Sequence, residues 1–181
     1  DLPLKKLYLS KNMITDFSVL PNLIDLDILC IMENPAENLS PVGECTGISR
    51  LNIQGMNLED IDFLKNLKLD YLDMSNAEVK SNIFEPLAEM GKLDTLCMCD
   101  INESAAETLS QLSNLKALFM WGDTTELENL KPLKGMKELE NLAFTTQISS
   151  LEGIEQFPSL NFLSVSFSLV KDLTPITGAK S

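Results

Sequence analysis

The chain has no histidine and, in Arg50, a single arginine among its 181 residues. The first absence removes Ser-His and Cys-His nucleophile pairs, histidine metal ligands and the usual general base near neutral pH. The second leaves little capacity for bidentate capture of phosphates or carboxylates. No run of about 18 apolar residues occurs, so no segment reads as a membrane span, and no charged-then-apolar start reads as a signal peptide. Basic residues are scarce, 14 against 27 acidic ones, and the net charge of −13 repels phosphate backbones and anionic lipid heads. Nucleic acid and membrane insertion are excluded on that ground. The four cysteines, Cys30, Cys45, Cys97 and Cys99, lack the paired spacing of a zinc site and are too few for a disulfide scaffold, so they read as free thiols. No glycine motif cradles a phosphate, and no nucleophile has its base. The expectation is no catalytic residue, no cofactor and no metal.

What the chain has is a period. Its 44% apolar and 23% charged residues belong to a globular protein, read as one domain over residues 1–181. A leucine-type spacing of three then two recurs at Leu4-x-x-Leu7-x-Leu9, Leu23-x-x-Leu26-x-Ile28, Ile48-x-x-Leu51-x-Ile53 and Leu69-x-x-Leu72-x-Met74. It continues at Leu93-x-x-Leu96-x-Met98, Leu115-x-x-Leu118-x-Met120, Leu139-x-x-Leu142-x-Phe144 and Leu160-x-x-Leu163-x-Val165. The later residues of each unit suit a short strand, whose period of two sends alternate side chains inward, and the first turns in from the preceding bend. No unit can bury its apolar ladder alone, so neighbours stack with the ladder as a shared core.

Eight in-phase copies resemble the leucine-rich repeat family over essentially the whole chain. The fold class implied is α/β: a leucine-rich-repeat solenoid with a curved parallel β-sheet on its concave side and helices, 3₁₀ turns or extended returns on its convex side. Asn12 stands where the family places an asparagine that bonds the backbone of adjoining turns. In the other seven units that position reads Ile31, Met56, Ala77, Ile101, Asp123, Gln147 and Ser168, a departure from the family pattern. The return segments 14–20, 58–64 and 170–176 look like those of short, bacterial, internalin-like repeats.

On the same phasing the second unit is irregular. Met32 to Gly43, rich in turn formers, reads as a bulge on the convex side, bracketed by Cys30 and Cys45, which could clamp it in an oxidising compartment. Ser104 and Thr125 open capping boxes with Glu107 and Glu128, and Ser81 and Gly91 bracket a third helical return. Leu4, Leu7 and Leu9 at one end and Asp172-Leu173-Thr174-Pro175-Ile176 at the other read as repeats without terminal caps, so a fragment of a longer array or multidomain protein is expected.

The phase also sorts the outward strand residues. Five of twelve are charged in the first four units: Lys6, Tyr8, Ser10, Asp25, Asp27, Leu29, Arg50, Asn52, Gln54, Tyr71, Asp73 and Ser75. None is charged in the last four: Thr95, Cys97, Cys99, Ala117, Phe119, Trp121, Asn141, Ala143, Thr145, Phe162, Ser164 and Ser166. A patch depleted of charge and carrying aromatics has the make-up of a protein interface, with tryptophan the favoured anchor. Phe119 and Trp121 are the expected anchors, Cys97 and Cys99 extend their surface, and Phe162 and Tyr71 are outlying members. A doubly buried strand under a neighbouring domain or a second copy of the chain reads the same way.

The expected function is a non-catalytic module that binds a protein or peptide on its concave face. The alternative is the substrate-recognition portion of a larger enzyme or secreted effector. Self-association through the open ends or the apolar patch is a further route to a partner. Family resemblance implies a bacterial surface or secreted protein, whereas exposed thiols fit a reducing interior.

Overall fold

Three-residue segments with an apolar residue at the centre cannot form a sheet alone, but stacked in parallel they share hydrogen bonds and a core. A computed structural model of the protein describes residues 2–81, 84–99, 101, 103–122, 127–145 and 147–178, apart from the side chains of Glu103 and Ser104. The chain divides into two compact units, 1–93 and 94–181. The first unit carries four parallel face strands, β1 (Lys6–Tyr8), β2 (Ile28–Cys30), β3 (Arg50–Asn52) and, after the return strand β4 (Asn57–Leu58), β5 (Tyr71–Asp73). On the return side β4 pairs in parallel with β6 (Glu78–Val79), and a short helix α1 (Glu85–Ala88) follows. In the second unit β7 (Thr95–Met98), β8 (Ala117–Met120), β9 (Asn141–Phe144) and β10 (Phe162–Val165) are paired in parallel in chain order. Helices α2 (Glu103–Leu109) and α3 (Thr174–Gly178) and 3₁₀ turns at Lys131–Leu133 and Ile154–Gln156 form its returns.

The registers align the inward ladder. Leu7, Leu29, Leu51 and Leu72 form one row and Leu96, Leu118, Leu142 and Leu163 another, and the six interior members are fully buried. Each such leucine contributes about 1.5–3 kcal/mol by leaving water. From the return side Leu20, Val42, Leu64, Leu87, Leu109, Leu133 and Ile154 close the core, one from each return but the last, whose helix α3 buries none.

The second repeat corrects the sequence phasing. Leu23 was expected to open that unit, with Leu26 and Ile28 inward and Asp25, Asp27 and Leu29 outward. Instead Leu26, Leu29 and Ile31 are buried, and Lys6 pairs with Ile28 and Tyr8 with Cys30. Both Leu23-x-x-Leu26-x-Ile28 and Leu26-x-x-Leu29-x-Ile31 satisfy the spacing. The second frame replaces steps of 19 and 25 residues by two of 22, and stacked coils of matched length keep every hydrogen-bonded pair in register. The outward residues of this unit are therefore Ile28, Cys30 and Met32.

Two further expectations change with the frame. The asparagine position of the second unit is Asn34, not Ile31. Its buried side-chain amide donates to the carbonyls of Leu9 and Ile31, both at 2.8 Å, and its Oδ1 accepts from the Ile14 N–H at 3.1 Å. The stretch from Met32 to Gly43 is not a bulge but the ordinary return of a 22-residue coil, with Leu39 and Val42 in the core. None of Cys30, Cys45, Cys97 and Cys99 is in a disulfide.

Tight turns lead into the returns by one recurring device. A side-chain oxygen at Asp16, Asn38, Asp60, Asn129, Ser150 or Asp172 accepts the backbone N–H two residues on, at 2.8–3.1 Å. This is the Asx or Ser/Thr turn, in which the side chain imitates a backbone turn. Helix boundaries differ from the expected ones. Helix α1 starts at Glu85 with Phe84 rather than Ser81 before it, and α2 has begun by Glu103, ahead of the expected cap Ser104. Thr125 lies outside the described residues.

Candidate protein-binding face

Phe119 and Trp121 are two residues apart on one short strand, so both side chains leave the same side of it. Their rings are parallel within 3° with centroids 6.1 Å apart, an offset stack. Trp121 remains 39% exposed and Phe119 is half-buried. The register sets Phe119 between Cys97 and Ala143, and both of these are almost covered, at 8% and 2% exposure, although they point away from the core. Small side chains on either side of a large one let it lean across them. Cys99 is half-buried one position beyond, and Phe162, paired with Asn141 on β10, is 48% exposed. The twelve outward positions of this unit are all described, and none carries a charge.

Tyr71 belongs to the first unit. There the Arg50 guanidinium lies 4.7 Å from the centre of its ring, a cation–π contact. The corrected frame leaves three charged outward residues in this unit, Lys6, Arg50 and Asp73, and adds Ile28 and Cys30 to its surface. A hollow of about 340 Å³ is lined by Tyr8, Ile28, Cys30, Arg50, Asn52 and Tyr71. Two of its lining residues reach partners outside it: Cys30 Sγ lies 3.1 Å from Ser10 Oγ, and Asn52 donates to the Asp73 carboxylate at 3.1 Å. Ile28 and Cys30 escaped sequence reasoning because of the slipped frame. Equal repeat length was the signal that would have found them.

No protein-family model matches the sequence, and no curated protein matches it. Solved structures do. An internalin (inlF) of Listeria monocytogenes superposes over 97% of this chain with a TM-score of 0.77 at 19% identity, and an internalin C2 (inlC2) of that species over 97% with 0.78 at 20%. The leucine-rich-repeat ectodomain of the Arabidopsis thaliana receptor kinase GASSHO1/SCHENGEN3, solved with Casparian strip integrity factor 2, superposes over 93% with 0.61 at 22%.

The chain has a leucine-rich-repeat fold.

It spans about half of the inlF chain (51%), 77% of inlC2 and 22% of the plant ectodomain. In this repeat fold the strand face and the return face offer different chemistry. The return side of the second unit has a polar hollow of about 490 Å³ between Lys131, Glu152, Glu155 and Asp172. Its groups are already engaged: Lys131 bonds Glu152 at 2.6 Å, Glu155 accepts from the Gly153 N–H and Asp172 from Thr174. Among the described residues no group of three or more Cys, Asp or Glu is placed to hold a metal ion, and no helix is long and apolar enough to cross a membrane.

Burial acts on one thiol. Cys45, on the return side of the first unit, is pushed up to about 11 by desolvation, with the Glu44 carboxylate adding to it, and it stays protonated at neutral pH. A thiol so held is a core filler, not a nucleophile.

Proposed function

We propose that this leucine-rich-repeat chain is a non-catalytic recognition module that binds a protein or peptide on its strand face, with Phe119 and Trp121 as anchors. The observation that carries the reading is the stacked Phe119–Trp121 pair standing in a face without charge, on a chain of net charge −13. The stack fixes two large apolar side chains before a partner arrives, so little rotamer entropy is left to lose on binding. Cys97, Cys99 and Phe162 supply the surrounding apolar surface. The absence of histidine removes the commonest general base, which favours recognition over catalysis. Complexes of structural neighbours support the same reading: the GASSHO1/SCHENGEN3 ectodomain was solved with Casparian strip integrity factor 2, and the plant peptide hormone receptor RGFR1 with RGF2.

The test pairs capture with a direct measurement. A partner captured by the wild-type chain should lose roughly 2 kcal/mol or more of affinity to Trp121→Ala, about thirtyfold in Kd. Because Trp121 is the only tryptophan, its emission should shift to the blue as the partner covers it. Equal affinity for both proteins, or an emission indifferent to binding, rejects Trp121 as an anchor.

A further inference from the structure

The hollow on the strand face of the first unit is about 340 Å³, at the small end of ligand pockets and sized for one or two side chains. Its chemistry is two-sided. Tyr8 and Ile28 give an apolar flank, and Tyr8 is largely exposed. Opposite stands Arg50, the only arginine of the chain, its guanidinium carbon over the Tyr71 ring. A cation–π contact draws on the charge of the guanidinium and leaves its N–H donors for other partners. Among the described residues the Arg50 side chain makes no ion pair and no hydrogen bond.

The carboxylates of neighbouring strands are otherwise occupied. Asp73 accepts from Asn52 at 3.1 Å and from the Ser75 N–H at 3.0 Å, and Asp27 accepts from Ser49 Oγ at 2.5 Å. Lys6 stands in the same cross-strand row as Arg50, with only Ile28 between them, so the second charge of the row is also positive. On a strongly acidic chain the row offers a cation held in place, with its donors unfilled, beside an apolar wall.

We propose that this groove binds a peptide segment presenting an Asp or Glu carboxylate to Arg50 and, one or two residues away, an apolar or aromatic side chain to Tyr8 and Ile28. The inference rests on the strand face being the recognition surface and gives its partner a chemistry. The carboxylate complements the unfilled fork of Arg50 by paired, charge-assisted hydrogen bonds.

A displayed library of random dodecapeptides, panned on the intact chain, tests this. Selected peptides should carry Asp or Glu within two positions of Phe, Tyr, Trp or Leu. The chain's own field repels anions, so such a bias cannot arise from non-specific attraction. Synthesised, these peptides should bind Arg50→Gln about tenfold or more weakly, the loss expected for a charge-assisted hydrogen bond. They should bind Arg50→Lys at an intermediate level, and Trp121→Ala measured alongside tells whether the same peptides also need the aromatic pair of the second unit. The mutated side chains are exposed, and unchanged urea midpoints will show that each variant folds.

Peptides without the acidic residue, or equal affinity for Arg50→Gln and wild type, overturn the groove assignment. If such peptides instead need Trp121, the strand face still stands as the recognition surface. If they are indifferent to both substitutions, the groove assignment falls and the capture experiment with Trp121→Ala judges the strand face. Recovery of no peptide above background overturns the groove as a peptide site and leaves the Trp121 capture experiment to judge the face.

Discussion

Asn12 and Asn34 occupy the same place in successive coils, yet they hold different amounts of structure. Asn34 is buried and ties the Leu9 and Ile31 carbonyls to the Ile14 N–H, whereas Asn12 is exposed and reaches only the carbonyls of Leu9 and Ser10. Replacing a buried amide strands its partners, the buried Ile31 carbonyl above all. We expect Asn34→Ala to cost about 2–3 kcal/mol and Asn12→Ala less than about 1 kcal/mol, measured by urea unfolding. Leu118, fully buried between Leu96 and Leu142, sets the scale for an apolar position, and Leu118→Ala should cost about 2–5 kcal/mol. Cys45 gives a residue-level signature in pH. Its folded pKa, about 11, lies above its ordinary value of 9.0, so the unfolded chain releases this proton first. Between those values the native state binds more protons, and the Cys45 contribution to stability is complete below about pH 9 and is lost as pH rises toward 11. In the same sense, native Cys45 should react with iodoacetamide far more slowly than in denaturant. Equal rates would show that the thiol is not protected.

At the scale of the coil, turns decide what the chain tolerates. Gly153 has φ +95°, and a Cβ there would stand 2.6 Å from the Lys131 nitrogen of the preceding coil. Gly153→Ala therefore combines strain with overlap against backbone, and a loss of about 2 kcal/mol or more is expected on thermal unfolding. Phe167 is the converse case. It sits at φ 56° with 86% of its surface exposed, at the coil position that is Lys11, Glu33, Gly55 and Asn76 elsewhere, all with positive φ. Phe167→Gly should stabilise the fold by about 1 kcal/mol by relieving a bulky side chain in the left-handed region.

The coil also explains what sequence could reveal. The inward ladder was legible because a three-two spacing has one physical use, and the shared side of Phe119 and Trp121 because two residues on a strand point alike. The second repeat was misphased because two overlapping leucine triads fit it equally well, and only the matched length of stacked coils separates them. That slip hid Asn34 and the Ile28–Cys30 surface together. The groove around Arg50 was beyond reading for a further reason. Its walls come from adjacent strands, 21 to 22 residues apart in the chain, and no local pattern marks which of them meet.

For the whole molecule, charge is the dominant variable. Twenty-seven acidic residues face fourteen basic ones. The ion pairs Lys11–Glu33, Lys65–Asp62, Lys80 with Glu37 and Glu59, and Lys131–Glu152 are all exposed. Exposed pairs are worth about 0–1 kcal/mol each, and salt weakens them. Salt equally weakens repulsion among the carboxylates left over, and their excess of thirteen charges makes this the larger effect. Raising NaCl from about 0.05 to 0.5 M, across which the screening length falls severalfold, should therefore raise the unfolding temperature. Mild acid should act in the same direction by removing negative charge, until the turn carboxylates are reached. Asp16 and Asp172 are held below the ordinary carboxylate value by their hydrogen bonds from Ser18 and Thr174. A lowered folded pKa contributes stability that is present above the unfolded value of 3.8 and is lost as pH falls through the folded one. Stability should thus rise from pH 7 toward about 5 and fall below about 4, followed by thermal unfolding at fixed ionic strength. A fall in unfolding temperature with added salt at pH 7 would show instead that the surface ion pairs outweigh the excess charge.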